Sequence, residues 1–149
     1  MSPTLEPINS IQRKYNLAQF GFFAFLLIIN ILLIAIIRYT NTFFVSNSNP
    51  FGLYVSSTGL IIIVGFITWG MFKFRLMQKY PIYSILILSG VWSNLAERFI
   101  NGYVTDYINL GFGYANLADL QIWVGAIVLN YLVWKPEPKK HAHHVNMGL

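Results

Sequence analysis

Three of the five acidic residues in this 149-residue chain, Glu97, Asp106 and Asp119, fall in one short stretch. Helical spacing gathers their neighbours. Asn94, Glu97 and Arg98 stand at i, i+3 and i+4 and share one helix face, while Asn116 and Asp119 stand at i and i+3 on another. Residues 100–116 join these two helices and contain Asp106, so the helix ends are expected to be neighbours. Two aspartates, two asparagines and an Arg–Glu pair would then surround one pocket. Two carboxylates that close cannot both ionise cheaply, so one pKa rises, the other falls, and the pair shares a proton. The charged member can take a proton from water while the protonated one polarises a carbonyl or protonates a leaving amine. This is aspartic-protease chemistry, and it needs no metal, cofactor or covalent intermediate. The same residues also allow a plainer arrangement, with Asp106 an ordinary loop acid and Asp119 a helix-start residue favoured by the macrodipole.

The elements that must position these groups follow from composition. Hydrophobic residues make up 56% of the chain and charged residues 10%, against about 25% charged in a soluble domain. The expectation is a small all-α membrane protein. With no cysteine, disulfide, zinc–thiolate and iron–sulfur chemistry are excluded. The net charge of +5 forms no single basic stripe, which argues against nucleic acid as a partner. Four continuously apolar runs, about 17–37, 57–74, 81–99 and 117–134, read as transmembrane helices of one domain spanning 1–149, with polar tails at 1–12 and 136–149. The first run is too long for a signal-peptide core and reads as retained. Eight of the ten basic residues lie on one side of these runs, against Arg38 and Arg98 on the other. Both termini are therefore expected to be cytoplasmic, and the segments 39–56 and 100–116 to face outward with the acids.

Both outer segments look partly extended. Phe43–Val45 and Leu53–Val55 flank a Ser-Asn-Ser-Asn-Pro stretch and read as a hairpin. Alternation from Tyr103 to Ile108 puts Val104, Asp106 and Ile108 on one side of a strand. Gly111-Phe112-Gly113-Tyr114 reads as a flexible loop. Glu6, Glu137 and the tail histidines His141, His143 and His144 read as solvated. Ser56, Ser57 and Ser93 read as small packing residues with no base beside them, and Trp92, Trp123 and Trp134 as interfacial or packing residues.

At the acidic cluster the sequence resembles signal peptidase II, the bacterial lipoprotein signal peptidase family. The matching pieces are Asn94-Leu-Ala-Glu-Arg98, Gly102-Tyr-Val-Thr-Asp106-Tyr107 and Asn116-Leu-Ala-Asp119, in the family's order, with a looser match over Val45–Gly52. The resemblance implies a membrane aspartic endopeptidase of the bacterial inner membrane, with Asp106 and Asp119 as the catalytic pair. Asn94, Arg98, Asn116, Asn47 and Asn49 would bind substrate, with Glu97 in support. The implied substrate is a diacylglyceryl-modified prolipoprotein cleaved just before its lipidated cysteine, by a monomer in contact with membrane lipids. Glu97 stands where the family motif carries Asp, and the family's first-helix Asp and Lys are missing, Asn30 being the one strongly polar residue inside that run. The alternatives are a catalytically inactive relative that binds lipoproteins, or a small membrane transporter subunit using the acids as proton carriers. A transporter would place its acids near the bilayer midplane.

Overall fold

A computed structural model describes residues 8–40, 42–48 and 57–135. Five helices and four short strands follow one another as α1 (Ile8–Tyr39), β1 (Val45–Asn47), α2 (Ser57–Lys73), α3 (Leu76–Lys79), α4 (Pro81–Asn101), β2 (Val104–Asp106), β3 (Ile108–Asn109), β4 (Tyr114–Ala115) and α5 (Leu117–Trp134). Helix α1 begins at Ile8, ahead of its apolar run, and α3 is a single turn that hydropathy alone does not reveal. Proline opens α4, where its fixed φ suits the first helical position. Gly102 closes α4 in the left-handed conformation at φ 80°, donating its N–H to Arg98 O, a role glycine fills without a Cβ penalty.

Two helices, Arg13–Tyr39 and Leu117–Trp134, are long and apolar enough to cross a membrane, and the shorter Thr58–Lys73 is also apolar. Only 17% of the most apolar window of α1 is buried. Most of its large apolar residues, among them Phe20, Phe25, Ile28, Leu32 and Ile36, therefore face outward, as a lipid solvent requires, while Phe23 and Ile37 turn toward the core. Helix α4 packs between α1, α2 and α5 and is the most buried of the helices. An apolar cluster of Met71, Ile87, Leu88 and Leu129 occupies one part of this core. Elsewhere the core is polar. Asn30 donates to Ser93 Oγ (3.0 Å) and to Gln121 Oε1 (3.0 Å), and Ser89 donates to the same Gln121 oxygen (3.2 Å), tying α1, α4 and α5 together. Ser93, expected as a small packing residue, is thus a hydrogen-bond acceptor. Bonds of this kind between apolar helices contribute about 0.6 kcal/mol each.

The structure pairs β1 with a strand that sequence pattern alone does not connect to it. Among the described residues β1 pairs antiparallel with β2, placing Val45 opposite Asp106 and Asn47 opposite Val104, because the strand beside the acid offers a fully buried partner. Leu53–Val55 lies outside the described residues. Gly111 and Gly113 sit in the tight turn of the β3–β4 hairpin, with Gly111 at φ 85° and Leu110 N–H bonded to Gly113 O (2.9 Å). The expected flexible loop is a turn fixed by backbone bonds.

Helices α4 and α5 approach almost backbone to backbone. A Cβ on Gly90 would lie 2.5 Å from Ala118 O, and one on Gly125 would lie 2.9 Å from Tyr83 O. Carbonyls cannot swing aside as side chains can, so Gly90→Ala and Gly125→Ala should each destabilise the fold by about 1–3 kcal/mol. Nothing lies within 4 Å of a Cβ on Gly65 in α2, and Gly65→Ala should be neutral or slightly stabilising. Thermal unfolding of the three variants in one detergent checks the order.

Candidate active site

The N-terminus of α5 organises the site. Asn116 is its N-cap, and Asn116 and Asp119 form a reciprocal capping box. Asp119 N–H donates to Asn116 Oδ1 (2.9 Å), and Asn116 N–H donates to Asp119 Oδ2 (3.2 Å), so two otherwise unpaired backbone donors are satisfied. Asp119 is therefore the helix-start residue that spacing alone suggested, and it is more than that. Capping uses Oδ2 and leaves Oδ1, which accepts from Asn94 Nδ2 of α4 (2.8 Å). Tyr107 adds a further support, its hydroxyl accepting the Leu117 N–H (3.0 Å).

The amide of Asn116 carries the connection onward. Its Nδ2 donates to Asn94 Oδ1 (3.1 Å) and to Asp106 Oδ1 (3.0 Å). Asn47 of β1 donates to the second oxygen, Asp106 Oδ2 (2.9 Å). Asp106 and Asp119 are thus joined through two asparagine amides, and each of their four oxygens accepts one N–H. Both amides run in one direction, from Asn116 to Asn94 to Asp119. Asparagine is needed at both places because aspartate would have no proton to donate.

Burial separates the two aspartates. Asp106 is 2% exposed, while Asp119 lines a cavity of about 430 Å³. Asn47, Asn94 and Arg98 complete the polar end of that cavity. Leu60, Ile63, Val64 and Ile67 of α2, with Ile87 and Ile122, form apolar walls. Burial pushes the Asp106 carboxyl above its usual value of 3.8 and the negative charge of Asp119 raises it further, while the amides of Asn47 and Asn116 and the charge of Arg98 oppose the rise.

Of the expected residues, the structure brings together Asn47, Asn94, Arg98, Asp106, Asn116 and Asp119. Glu97 departs. Although it neighbours Arg98, adjacent helix positions point about 100° apart, and Glu97 pairs instead with Arg38 of α1 (3.2 Å), the one ion pair among the described residues. The expected Arg–Glu pair at the pocket is therefore two separate arrangements, with Arg98 on the cavity and Glu97 behind it. Asn49 lies outside the described residues, as do the tail histidines. Sequence reading missed Arg38 and Gln121, whose signal was only that each is polar in an apolar run. Among the described residues no three His, Cys, Asp or Glu side chains gather as ligands for a metal ion.

The raised Asp106 pKa has a consequence for stability. The native state holds that proton over a pH range in which the unfolded chain has lost it. Asp106 thus stabilises the fold at low pH, and this contribution falls as pH rises from about 4 through the folded value. Asp106→Asn has no such loss, so its stability relative to the parent should climb with pH over that range and then level off. Denaturant unfolding of both proteins from pH 4 to 8 measures the difference.

Residues 9–135 match the signal peptidase (SPase) II family. The chain is 30% identical over 109 residues to the lipoprotein signal peptidase of Thermodesulfovibrio yellowstonii, covering 66% of this chain and 74% of that protein. It is 31% identical over 80 residues to the lipoprotein signal peptidase of Thermosynechococcus vestitus, 52% of this chain and 51% of the relative. For the Brucella ovis lipoprotein signal peptidase the figures are 31% over 98 residues and 60% of each chain. In these matches the chain spans between about half and three quarters of its relatives' lengths. A bacterial membrane enzyme solved by the in meso method at 2.3 Å resolution shares the fold, with a TM-score of 0.68 at 21% identity over 83% of this chain and 92% of that one. With the family pattern matched across helices α1 to α5 and the strands between them, the chain belongs to the signal peptidase II family.

Proposed function

We propose that this protein is an aspartic endopeptidase that removes signal peptides from diacylglyceryl-modified prolipoproteins, cleaving just before the lipidated cysteine. The observation that carries the reading is the chain of hydrogen bonds from Asp119 through Asn94 and Asn116 to Asp106, opening on an apolar-walled cavity. Membership of the signal peptidase II family supports protease activity on lipoproteins. Helices α1, α2, α4 and α5 span the bacterial inner membrane with both termini in the cytoplasm, and the site lies at the outer face. The basic residues Lys73, Arg75 and Lys79 at the far end of the bundle from the acids support that orientation. The enzyme works as a monomer among membrane lipids.

In this reading the acyl chains rest against the α2, α4 and α5 walls, and Arg98 and the asparagines hold the peptide backbone near the acids. Asn47 lines the cavity and bonds Asp106, so a substrate backbone that takes over the Asn47 amide uncovers Asp106 Oδ2. The pair then shares one proton. The ionised carboxylate takes a proton from water as its oxygen attacks the scissile carbonyl, and the protonated one donates to the carbonyl oxygen. Collapse of the tetrahedral intermediate breaks the C–N bond, and a carboxyl proton passes to the departing amine of the cysteine. Partial exclusion of water strengthens these charges.

A gel-shift cleavage assay on a diacylglyceryl-modified prolipoprotein in lipid tests this. Asp106→Asn and Asp119→Asn should each lower turnover by about 10²–10⁴-fold while remaining folded. A folded parent protein that cleaves none of several lipobox sequences would instead indicate an inactive relative that binds lipoproteins. Acids clustered at one end of the bundle disfavour the transporter alternative.

A further inference from the structure

Behind the cavity, the side chains of Arg38, Glu97 and Thr105 form a second polar cluster, none of which lines the cavity or hydrogen-bonds an aspartate side chain. Glu97 Oε1 accepts from Arg38 Nη2 (3.2 Å), from Thr105 N–H (3.2 Å) and from the Thr105 hydroxyl. Arg38 also reaches Thr105 Oγ1 with Nε (3.1 Å) and Nη2 (3.0 Å), and its guanidinium lies 4.9 Å from the centre of the Tyr103 ring. Thr105 is completely buried and Glu97 is 5% exposed. Three elements meet here: the outer end of α1, the last turns of α4, and the centre of β2.

Thr105 immediately precedes Asp106, and successive strand residues point to opposite faces. A slip of one residue in β2 would send Asp106 away from Asn116 and Asn47. The β1–β2 ladder has only three residue pairs, too little to hold register alone, since even a complete isolated hairpin is marginal in water. Glu97, one methylene longer than aspartate, receives both the backbone N–H and the side-chain hydroxyl of the residue next to the acid.

We propose that Arg38, Glu97 and Thr105 are positioning residues that lock the face and register of β2, and so hold Asp106 in the catalytic pair. This rests on the aspartic-peptidase reading above. None of the three touches substrate in that reading.

The test compares Thr105→Val, Thr105→Ser and Arg38→Gln with the parent protein in lipid, using Asp106→Asn as the control for the dyad. Hydrogen–deuterium exchange over residues 103–107 should rise at least about tenfold in Thr105→Val and Arg38→Gln and stay near the parent rate in Thr105→Ser, which keeps the hydroxyl. In the cleavage assay the first two should lose at least about tenfold in kcat with KM within about twofold, and Thr105→Ser should retain kcat. Thermal unfolding identifies any variant that fails to fold, and Thr105→Val, which leaves the Arg38–Glu97 pair intact, keeps the test alive if Arg38→Gln does not. Unchanged exchange in Thr105→Val overturns the proposal whatever the activity. So does unchanged kcat when Asp106→Asn is inactive. An Asp106→Asn protein that still cleaves refutes the dyad itself, and the positioning role falls with it.

Discussion

An aspartate with its charge buried costs several kcal/mol unless donors surround it, and two such groups in one place repel. The Asn116 side chain is what makes the pair tolerable here. Its carbonyl oxygen caps α5, while its two amide hydrogens serve Asn94 and Asp106. Among the described residues no other side chain in the site bonds both aspartates, Asp106 through its side chain and Asp119 through its backbone and side chain. The start of α5 and the orientation of Asn94 on α4 depend on that one side chain, which also gives Asp106 of β2 one of its two amide donors.

Capping of α5 and the bond to Asn94 coincide on Asp119 because they have the same geometry. A capping box places a side-chain acceptor three residues beyond an N-cap, and a carboxylate in that position has one oxygen turned toward the helix and another turned away. The oxygen turned away from the backbone is the one that meets Asn94 and lies beside the cavity. Local helix stability and site assembly are thus not competing demands on Asp119. The buried Asp106 is the costlier partner, and it takes amide donors on both oxygens.

Much of this was legible from spacing. Asn94 to Arg98 and Asn116 to Asp119 fall at helical intervals, and the apolar runs that carry them are long and uninterrupted. Legibility ended where contacts leave a single helix. Arg38 and Glu97 lie 59 positions apart, so no periodicity rule connects them, and the same rule that put Glu97 beside Asn94 says nothing of a third helix competing for it. Asn30 and Gln121 are each a lone amide in a greasy run, meaningful only once α1 and α5 are seen to share α4. The pairing of β1 with β2 joins segments that only the packing of α1 against α4 brings close, so local sequence pattern does not reveal it.

The glycine contact between α4 and α5 has a mechanical consequence. Gly90 meets the carbonyl of Ala118, the residue before Asp119, and lies one helical turn, about 6 Å, from Asn94. Gly125 makes a second such contact, with the Tyr83 carbonyl, about 10 Å further along the helices. Two backbone contacts that far apart leave no single pivot, so they resist rocking of α4 against α5 and hold the crossing of the two helices that carry Asn94 and Asp119.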